Sequence, residues 1–188
     1  MYRLLLIILT ALTYTFTVSA QTYHGTRVHT WYNDIPISMY LPEEYFSSIQ
    51  YYPVLYLLHG TGENEESWFK NGNAEQIFDQ LIGNGGMRKM IIVMPYSSGV
   101  TDGSYENSFK DLMSFIERNF RVHKGKRYHA IAGLSLGGFY AMHISHRFYN
   151  KFDYVGIFSA IYTTDKMSIF KKDSTALFGI SQTSPIRI

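Results

Sequence analysis

The sequence predicts an α/β fold in which a mostly parallel sheet is flanked by helices. Continuous apolar runs at residues 53–58, 90–94, 128–134 and, more weakly, 154–158 have the pattern of strands buried on both faces. Helical stripes of apolar residues lie between these runs, and alternation of strand and helix is typical of a parallel core. The length of 188 residues fits one domain.

The first twenty residues predict a signal peptide. Arg3 gives a positive start, residues 4–12 are apolar except for Thr10, and residues 18–20 are small enough for a signal peptidase. We expect cleavage after Ala20, a domain spanning 21–188, a secreted or periplasmic bacterial protein, and no stable membrane association after cleavage. An uncleaved anchor is the alternative, although the apolar stretch is short for a membrane span.

Composition excludes several classes of function. The chain has no cysteine, so disulfides, thiolate metal ligands and a cysteine nucleophile are excluded. The net charge is only +2, and no cluster of Lys and Arg alternates with aromatic residues, so nucleic acid is not an expected partner. Nothing in the sequence implies a metal or an organic cofactor, and the oligomeric state stays open.

The antiparallel part of the sheet is expected at the start of the domain. Runs 26–32 and 35–41 are β-prone, the pair Asn33-Asp34 between them is a turn signal, and Pro42 ends the second run.

Three helices are expected after these two strands. The first carries a stripe of Ile77, Phe78, Leu81 and Ile82, closed by the glycines at 83, 85 and 86. The second carries Phe109, Leu112, Met113, Ile116 and Phe120. The third begins just after Ser135 and runs to about Tyr149.

The segment Gly133-Leu134-Ser135-Leu136-Gly137-Gly138 fits the G-x-S-x-G nucleophile elbow. In such an elbow the serine stands on a tight turn from strand to helix. The residues two before and two after it lie against each other, so neither can be larger than glycine. The helix that follows favours developing negative charge at its N-terminus. A glycine-rich turn without catalysis is the other interpretation.

A second element agrees with the elbow. His59-Gly60-Thr61-Gly62, called the HGTG loop below, follows a buried strand where the hydrolase fold completes its oxyanion hole. Backbone N–H groups of Thr61 and Leu136 are therefore candidate oxyanion donors. We expect His59 to be a hydrogen-bonded structural residue of the loop and not a base.

These motifs together resemble one family. Residues 39–45, 52–62 with Trp68 shortly after, 90–96, 116–122, 130–138 and 158–160 occur in the order and spacing of the putative-esterase family, which includes feruloyl and acetylxylan esterases of carbohydrate esterase family 1, esterase D and the mycolyltransferases. The resemblance implies an α/β-hydrolase fold. It also implies Ser135 as nucleophile, Thr61 and Leu136 as oxyanion donors, and Trp68 in the acyl pocket, unless Trp68 is a core residue.

The expected partners of the serine are missing from the sequence. In this fold an acid and then a histidine follow the nucleophile. After Ser135 there are only His143 and His146, which lie along the helix more than about 10 Å away at 1.5 Å per residue. Asp153 precedes a strand and is expected to be a surface or capping residue. None of the other polar candidates follows a convincing strand or the expected chain order: Asp165, Asp173, His24, His29, His123 and His129. Segment 176–180 could begin the strand that leads to the acid.

We therefore expect a hydrolase fold lacking its last strands and helix. A truncated sequence is the favoured account, and a true end at Ile188 is the other. The predicted function is a secreted serine carboxylic-ester hydrolase acting through an acyl-enzyme on a small ester or acylated oligosaccharide, with feruloyl or acetyl esters of plant polysaccharides favoured. The alternative is a non-catalytic remnant that binds a glycan or a partner, and a membrane-anchored structural protein is weaker still.

Overall fold

The computed structural model describes residues 22–97 and 103–160. Within these ranges the strands are β1 (Thr26–Tyr32), β2 (Ile35–Leu41), β3 (Val54–Leu58), β4 (Ile91–Pro95), β5 (His129–Leu134) and β6 (Tyr154–Phe158). The helices are α1 (Ser67–Lys70), α2 (Ala74–Gly83), α3 (Ser104–Asn119) and α4 (Leu136–Arg147), and a 3₁₀ turn at Lys126–Tyr128 leads into β5.

The six described strands form one sheet in the order β1-β2-β4-β3-β5-β6. Strand β2 is antiparallel to both β1 and β4, whereas β4, β3, β5 and β6 are mutually parallel. The prediction of a mostly parallel sheet flanked by helices is confirmed. The β1–β2 hairpin is also as predicted: Asn33 and Asp34 both have positive φ, 45° and 61°, as a two-residue hairpin turn of the favoured twist requires.

Both faces of the central strands are covered, which explains their continuous apolar sequences. In β3, Val54, Tyr56 and Leu58 pack in one core cluster with residues of α3 and α4. Leu57 belongs to a second cluster on the opposite face, with residues of α2. Because alternate side chains of a strand point to opposite faces, a strand with a core on each side has no polar position.

Two details of the prediction are wrong. Ile77 is 46% exposed, because the buried stripe of α2 is the narrower set Ala74, Phe78 and Ile82, spaced four residues apart. The third predicted helix, α4, is confirmed and ends at Arg147, within two residues of the predicted end. Strand β6 exists as predicted but is not buried on both faces. Its Tyr154 and Phe158 are more than half exposed, since β6 is an edge strand among the described residues.

The topology brings three loops to one edge of the sheet. Strands β3, β4 and β5 are parallel neighbours, so their carboxyl ends meet at the same edge. The HGTG loop follows β3, Tyr96 and Ser97 follow β4, and Ser135 follows β5. In open α/β sheets ligands bind at this edge, so the fold itself assembles the candidate residues.

Candidate active site

Ser135 occupies a strained turn between β5 and α4. Its φ of 53° and ψ of −115° lie outside the regions that residues with a side chain normally adopt. Two backbone hydrogen bonds hold it there: its N–H donates to the Phe158 carbonyl at 2.8 Å, and its carbonyl accepts from the Phe139 N–H at 3.0 Å. Strain that the surrounding structure over-determines is typical of functional positions.

The two glycines of the motif make this turn possible. A Cβ on Gly133 would lie 2.3 Å from the carbonyl of Gly137, so the residues two before and two after Ser135 do lie against each other. A Cβ on Gly137 would lie 2.4 Å from the Leu58 carbonyl oxygen and 2.5 Å from that of His59. The elbow is therefore packed against the end of β3, backbone on backbone.

The HGTG loop is held by a buried histidine. The His59 side chain is 3% exposed, and its Nδ1 lies 2.9 Å from the Gly60 carbonyl oxygen. The Ser97 N–H donates to His59 Nε2 at 3.0 Å, and the Tyr96 ring packs against the imidazole. His59 is thus a hydrogen-bonded loop residue, as the sequence predicts.

The structure places Thr61 and Leu136 on adjacent backbone segments. An added Cβ on Gly60 would be 3.7 Å from Ser135 Cβ and 3.6 Å from the Leu134 carbonyl oxygen, so the loop touches the elbow. Thr61 continues that loop, and Leu136 opens α4. Neither N–H donates a hydrogen bond to any described residue. Thr61 follows the residue that touches the elbow and Leu136 follows Ser135 directly, so both N–H groups stay candidate donors to an anionic oxygen.

Trp68 lines a cavity of about 170 Å³ beside the elbow. The other lining residues are Glu63, Ser67, Asn71, Gly72 and Leu134. The indole Nε1 of Trp68 is buried and has no hydrogen-bond partner among the described residues. Trp68 also packs against the second core cluster, so it lines the cavity with its aromatic ring while its Nε1 is buried away from the cavity.

A second cavity, of about 270 Å³, opens at the same edge of the sheet and was not predicted. It is lined by Ile35, Tyr96, Ser104, Tyr105 and Ser108. Burial raises the pKa of Tyr105, so its hydroxyl is neutral at any ordinary pH. Tyr96 joins this cavity to the HGTG loop through its contact with His59.

Among the described residues, no histidine side chain is hydrogen-bonded to Ser135. His24 pairs with Asp79, and His29 with Glu65. His123 stacks on Tyr128, and His129 donates from Nε2 to the His123 carbonyl. Burial lowers the pKa of His129. In α4, His143 packs on Phe139 and lies 3.7 Å from Glu106, and His146 lies in the last turn.

The acidic candidates divide into two groups. Asp153 forms an ion pair with Lys126 at 2.9 Å, as expected for a surface residue. Asp165, Asp173, segment 176–180 and the predicted signal peptide lie outside the described residues.

Within the described ranges no group of three His, Cys, Asp or Glu side chains could hold a metal ion, and no helix is long and apolar enough to cross a membrane.

Two residues at the site were missed by the sequence analysis. Glu63 accepts a hydrogen bond from the Gly60 N–H at 2.7 Å, and Ser97 anchors His59. Glu63 had a signal, since it stands three residues after Gly60 in a turn sequence. Ser97 had none, because its N–H and its hydroxyl, 3.0 Å and 3.3 Å from His59 Nε2, meet a residue that is distant in the sequence.

Comparison with known proteins identifies the fold class first. The structure is similar to a ferulic acid esterase, with a TM-score of 0.67, 28% identity, and coverage of 73% of this chain and 60% of the other. It is also similar to the feruloyl esterase module from Clostridium thermocellum, solved as a mutant with sinapinate, with a TM-score of 0.71, 21% identity, and coverage of 85% and 64%. The protein has an α/β-hydrolase fold.

The family follows from the sequence match. The chain belongs to the family described as "Putative esterase", whose model matches residues 29–178. Over 137 residues it is 36% identical to an endo-1,4-beta-xylanase/feruloyl esterase from Xylanibacter ruminicola. That match covers 65% of this chain but only 19% of the relative, so the chain spans about a fifth of the length of that relative.

Proposed function

We propose that this protein is a serine carboxylic-ester hydrolase that acts through an acyl-enzyme. Membership of an esterase family supports this reaction class. The observation that carries the proposal is the strained Ser135 beside two backbone N–H groups, of Thr61 and Leu136, that have no acceptor among the described residues. A glycine-rich turn with only a structural role has no need of either feature.

In the proposed mechanism Ser135 Oγ attacks the ester carbonyl carbon. The carbonyl oxygen becomes an oxyanion, to which the N–H groups of Thr61 and Leu136 donate, each worth about 3–4 kcal/mol of transition-state stabilisation. The C–O bond to the alcohol breaks and the alcohol leaves with a proton. Water then attacks the acyl-serine and releases the acid.

The mechanism needs a general base to take the Ser135 proton. No histidine follows His146 in the sequence, and no described histidine is hydrogen-bonded to Ser135. The proposal therefore requires a histidine, and an acid to orient it, that residues 1–188 do not supply. Residues 21–188 alone should then show only the residual catalysis of a triad lacking a member, about 10³–10⁴ over water.

We assign the acyl group of the substrate to the cavity beside Trp68. The indole lines this cavity and offers an aromatic face to a planar acyl chain. The names of the relatives, a xylanase/feruloyl esterase and a feruloyl esterase module solved with sinapinate, support acyl esters of plant polysaccharides. We propose feruloyl or acetyl esters as the substrate class, and an exported domain 21–188 released after Ala20.

Labelling with a fluorophosphonate tests the reaction class. The complete gene product, read through any codons after Ile188, is expected to react at Ser135, and the Ser135→Ala variant is expected not to react. Peptide mapping locates the adduct. Absence of labelling in the complete product would overturn the proposed hydrolase.

A second candidate function is a non-catalytic protein that binds a glycan or a partner. The observation that favours it is the absence of any described histidine hydrogen-bonded to Ser135. The same labelling separates the two functions, because a serine without a base is not activated. A genuine stop codon after Ile188, together with no labelling and with binding of xylan fragments unaffected by Ser135→Ala, would favour the binding protein.

A further inference from the structure

We propose that His59 and Glu63 are positioning residues, which fix the direction of the Thr61 N–H by clamping both polar backbone groups of Gly60. The inference rests on the proposed function, because it concerns the Thr61 donor of the oxyanion hole. It adds two side chains to the site that do not touch the reacting atoms. We refer to these contacts as the Gly60 clamp.

The carbonyl oxygen of Gly60 receives two hydrogen bonds. One comes from His59 Nδ1 at 2.9 Å, and the other from the Glu63 N–H at 3.3 Å. The second bond closes a four-residue turn from Gly60 to Glu63. Gly62, the third residue of this turn, has a φ of 76°, as in a type II turn, and glycine adopts this value without steric cost.

The protonation of His59 follows from its other partner. The Ser97 N–H can only donate, and it lies 3.0 Å from His59 Nε2, so Nε2 is the unprotonated nitrogen. The proton is therefore on Nδ1, which faces the Gly60 carbonyl. This tautomer is assigned from the hydrogen-bond network. Burial of both His59 and Ser97 holds the arrangement in place.

The orientation of Thr61 follows from peptide geometry. The Gly60 carbonyl and the Thr61 N–H belong to one planar trans peptide, in which C=O and N–H point in opposite directions. Fixing the carbonyl towards His59 and the Glu63 N–H therefore fixes the Thr61 N–H on the opposite side. The histidine acts on the donor through the peptide plane, without touching it.

Glu63 secures the preceding peptide. Its carboxylate accepts from the Gly60 N–H at 2.7 Å, a charge-assisted hydrogen bond of the stronger kind. The side chain and the backbone N–H of Glu63 thus hold the two sides of Gly60 together. Because a Cβ on Gly60 would contact both Glu63 Oε2 and Ser135 Cβ, at 3.2 Å and 3.7 Å, the clamp lies directly beside the nucleophile.

Amide dynamics test the clamp without requiring catalysis. In the 188-residue chain the ¹⁵N heteronuclear NOE of Thr61 should match that of β3, and it should fall in Glu63→Ala and in His59→Leu. His59→Asn, whose Nδ2 can replace the Nδ1 donor, should restore part of it. Glu65→Ala is the matched control, because Glu65 lies two residues further on and contacts His29 instead of Gly60.

Binding of phenylboronic acid, a reversible mimic of the tetrahedral adduct, to the complete gene product and to its variants gives the second readout. We expect the affinity to fall about tenfold in Glu63→Ala and His59→Leu and to stay unchanged in Glu65→Ala. If His59→Leu does not fold, Glu63→Ala carries the test, since Glu63 is only partly buried.

The two readouts separate failure of the clamp from failure of the proposed function. An unchanged Thr61 NOE in Glu63→Ala and His59→Leu overturns the clamp, whatever the boronate does. If boronate shifts neither the Thr61 nor the Leu136 amide of the wild type, the oxyanion site fails. In that case the Thr61 NOE alone tests the clamp. A drop of the NOE in Glu65→Ala as large as in Glu63→Ala would also overturn it.

Discussion

The elbow at Ser135 and the HGTG loop follow neighbouring parallel strands, β5 and β3, but different forces hold them. The elbow is held by backbone groups alone, through close packing at the glycines at 133 and 137 and two backbone hydrogen bonds of Ser135. The HGTG loop is held through side chains: His59 Nδ1 donates to the Gly60 carbonyl, and the Glu63 carboxylate accepts from the Gly60 N–H. Packing between backbones cannot be removed by changing one side chain, whereas a hydrogen bond made by a side chain can. The comparison therefore predicts a rigid half and an adjustable half of the same site.

The largest expected effect on stability comes from adding a methyl group to a glycine of the elbow. In Gly137→Ala the Cβ would meet two carbonyl oxygens of the β3 segment, and neither can move cheaply. We expect a loss of about 3 kcal/mol in the free energy of unfolding, measured by urea denaturation.

Gly62→Ala is the matched control for this substitution in the HGTG loop. Nothing lies within 4 Å of its added Cβ, so only the positive φ is costly, at about 1 kcal/mol. Equal losses in the two variants would show that the elbow is not held by contact.

The strain at Ser135 gives a smaller effect. Because the strain arises from a Cβ at φ 53° and ψ −115°, Ser135→Gly should relieve it and Ser135→Ala should not. We expect the Gly variant to be about 1 kcal/mol more stable than the Ala variant by thermal or urea unfolding, after the entropy that Gly adds to the unfolded chain. An Ala variant as stable as the Gly variant would contradict a strained elbow.

The smallest effect concerns pH and the segment after the HGTG loop. The Ser38 hydroxyl donates to Glu66, which holds the pKa of that carboxyl below its usual range, and Arg27 adds to this. A lowered folded pKa stabilises the protein above the ordinary Glu value of about 4.3, and this contribution is lost as pH falls through the folded pKa.

Comparison of Ser38→Ala with the wild type measures this contribution. We expect the variant to be about 0.5 kcal/mol less stable at pH 7, since Glu66 is partly exposed, and the difference to shrink below about pH 4. Hydrogen exchange should then show residues 60–66 loosening in acid before residues 133–138. A stability difference that stays constant down to pH 3 would contradict the assignment.

The elbow could be predicted from the sequence because its requirement is local. A turn this tight needs glycine two residues before and two residues after the serine, so the motif by itself indicates the geometry of the turn. The strands of the central sheet could also be predicted, because a core on both faces makes their sequences almost continuously apolar. The catalytic, oxyanion and acyl-pocket roles of Ser135, Thr61, Leu136 and Trp68 stay predictions.

The supports of the HGTG loop could not be predicted in the same way. Ser97 follows a different strand, β4, and its N–H and hydroxyl reach His59 only because the fold brings the two loops together. The prediction for Ile77 was wrong for a related reason. The buried stripe of α2 is narrow, and its exact direction depends on how the helix packs on the sheet. Both depend on tertiary contacts that no local pattern records.

The order of the strands has a consequence for the timing of folding. Strand β5 lies next to β3, although β4 comes between them in the sequence, and Gly137 rests on carbonyls of Leu58 and His59. The elbow can therefore close only after contacts between distant parts of the chain have formed, which are slow to form. Before those contacts form, nothing holds Ser135 in its strained backbone conformation. If Ser135 is the proposed nucleophile, a nascent chain would carry an ordinary, unreactive serine, and reactivity would report completion of the sheet.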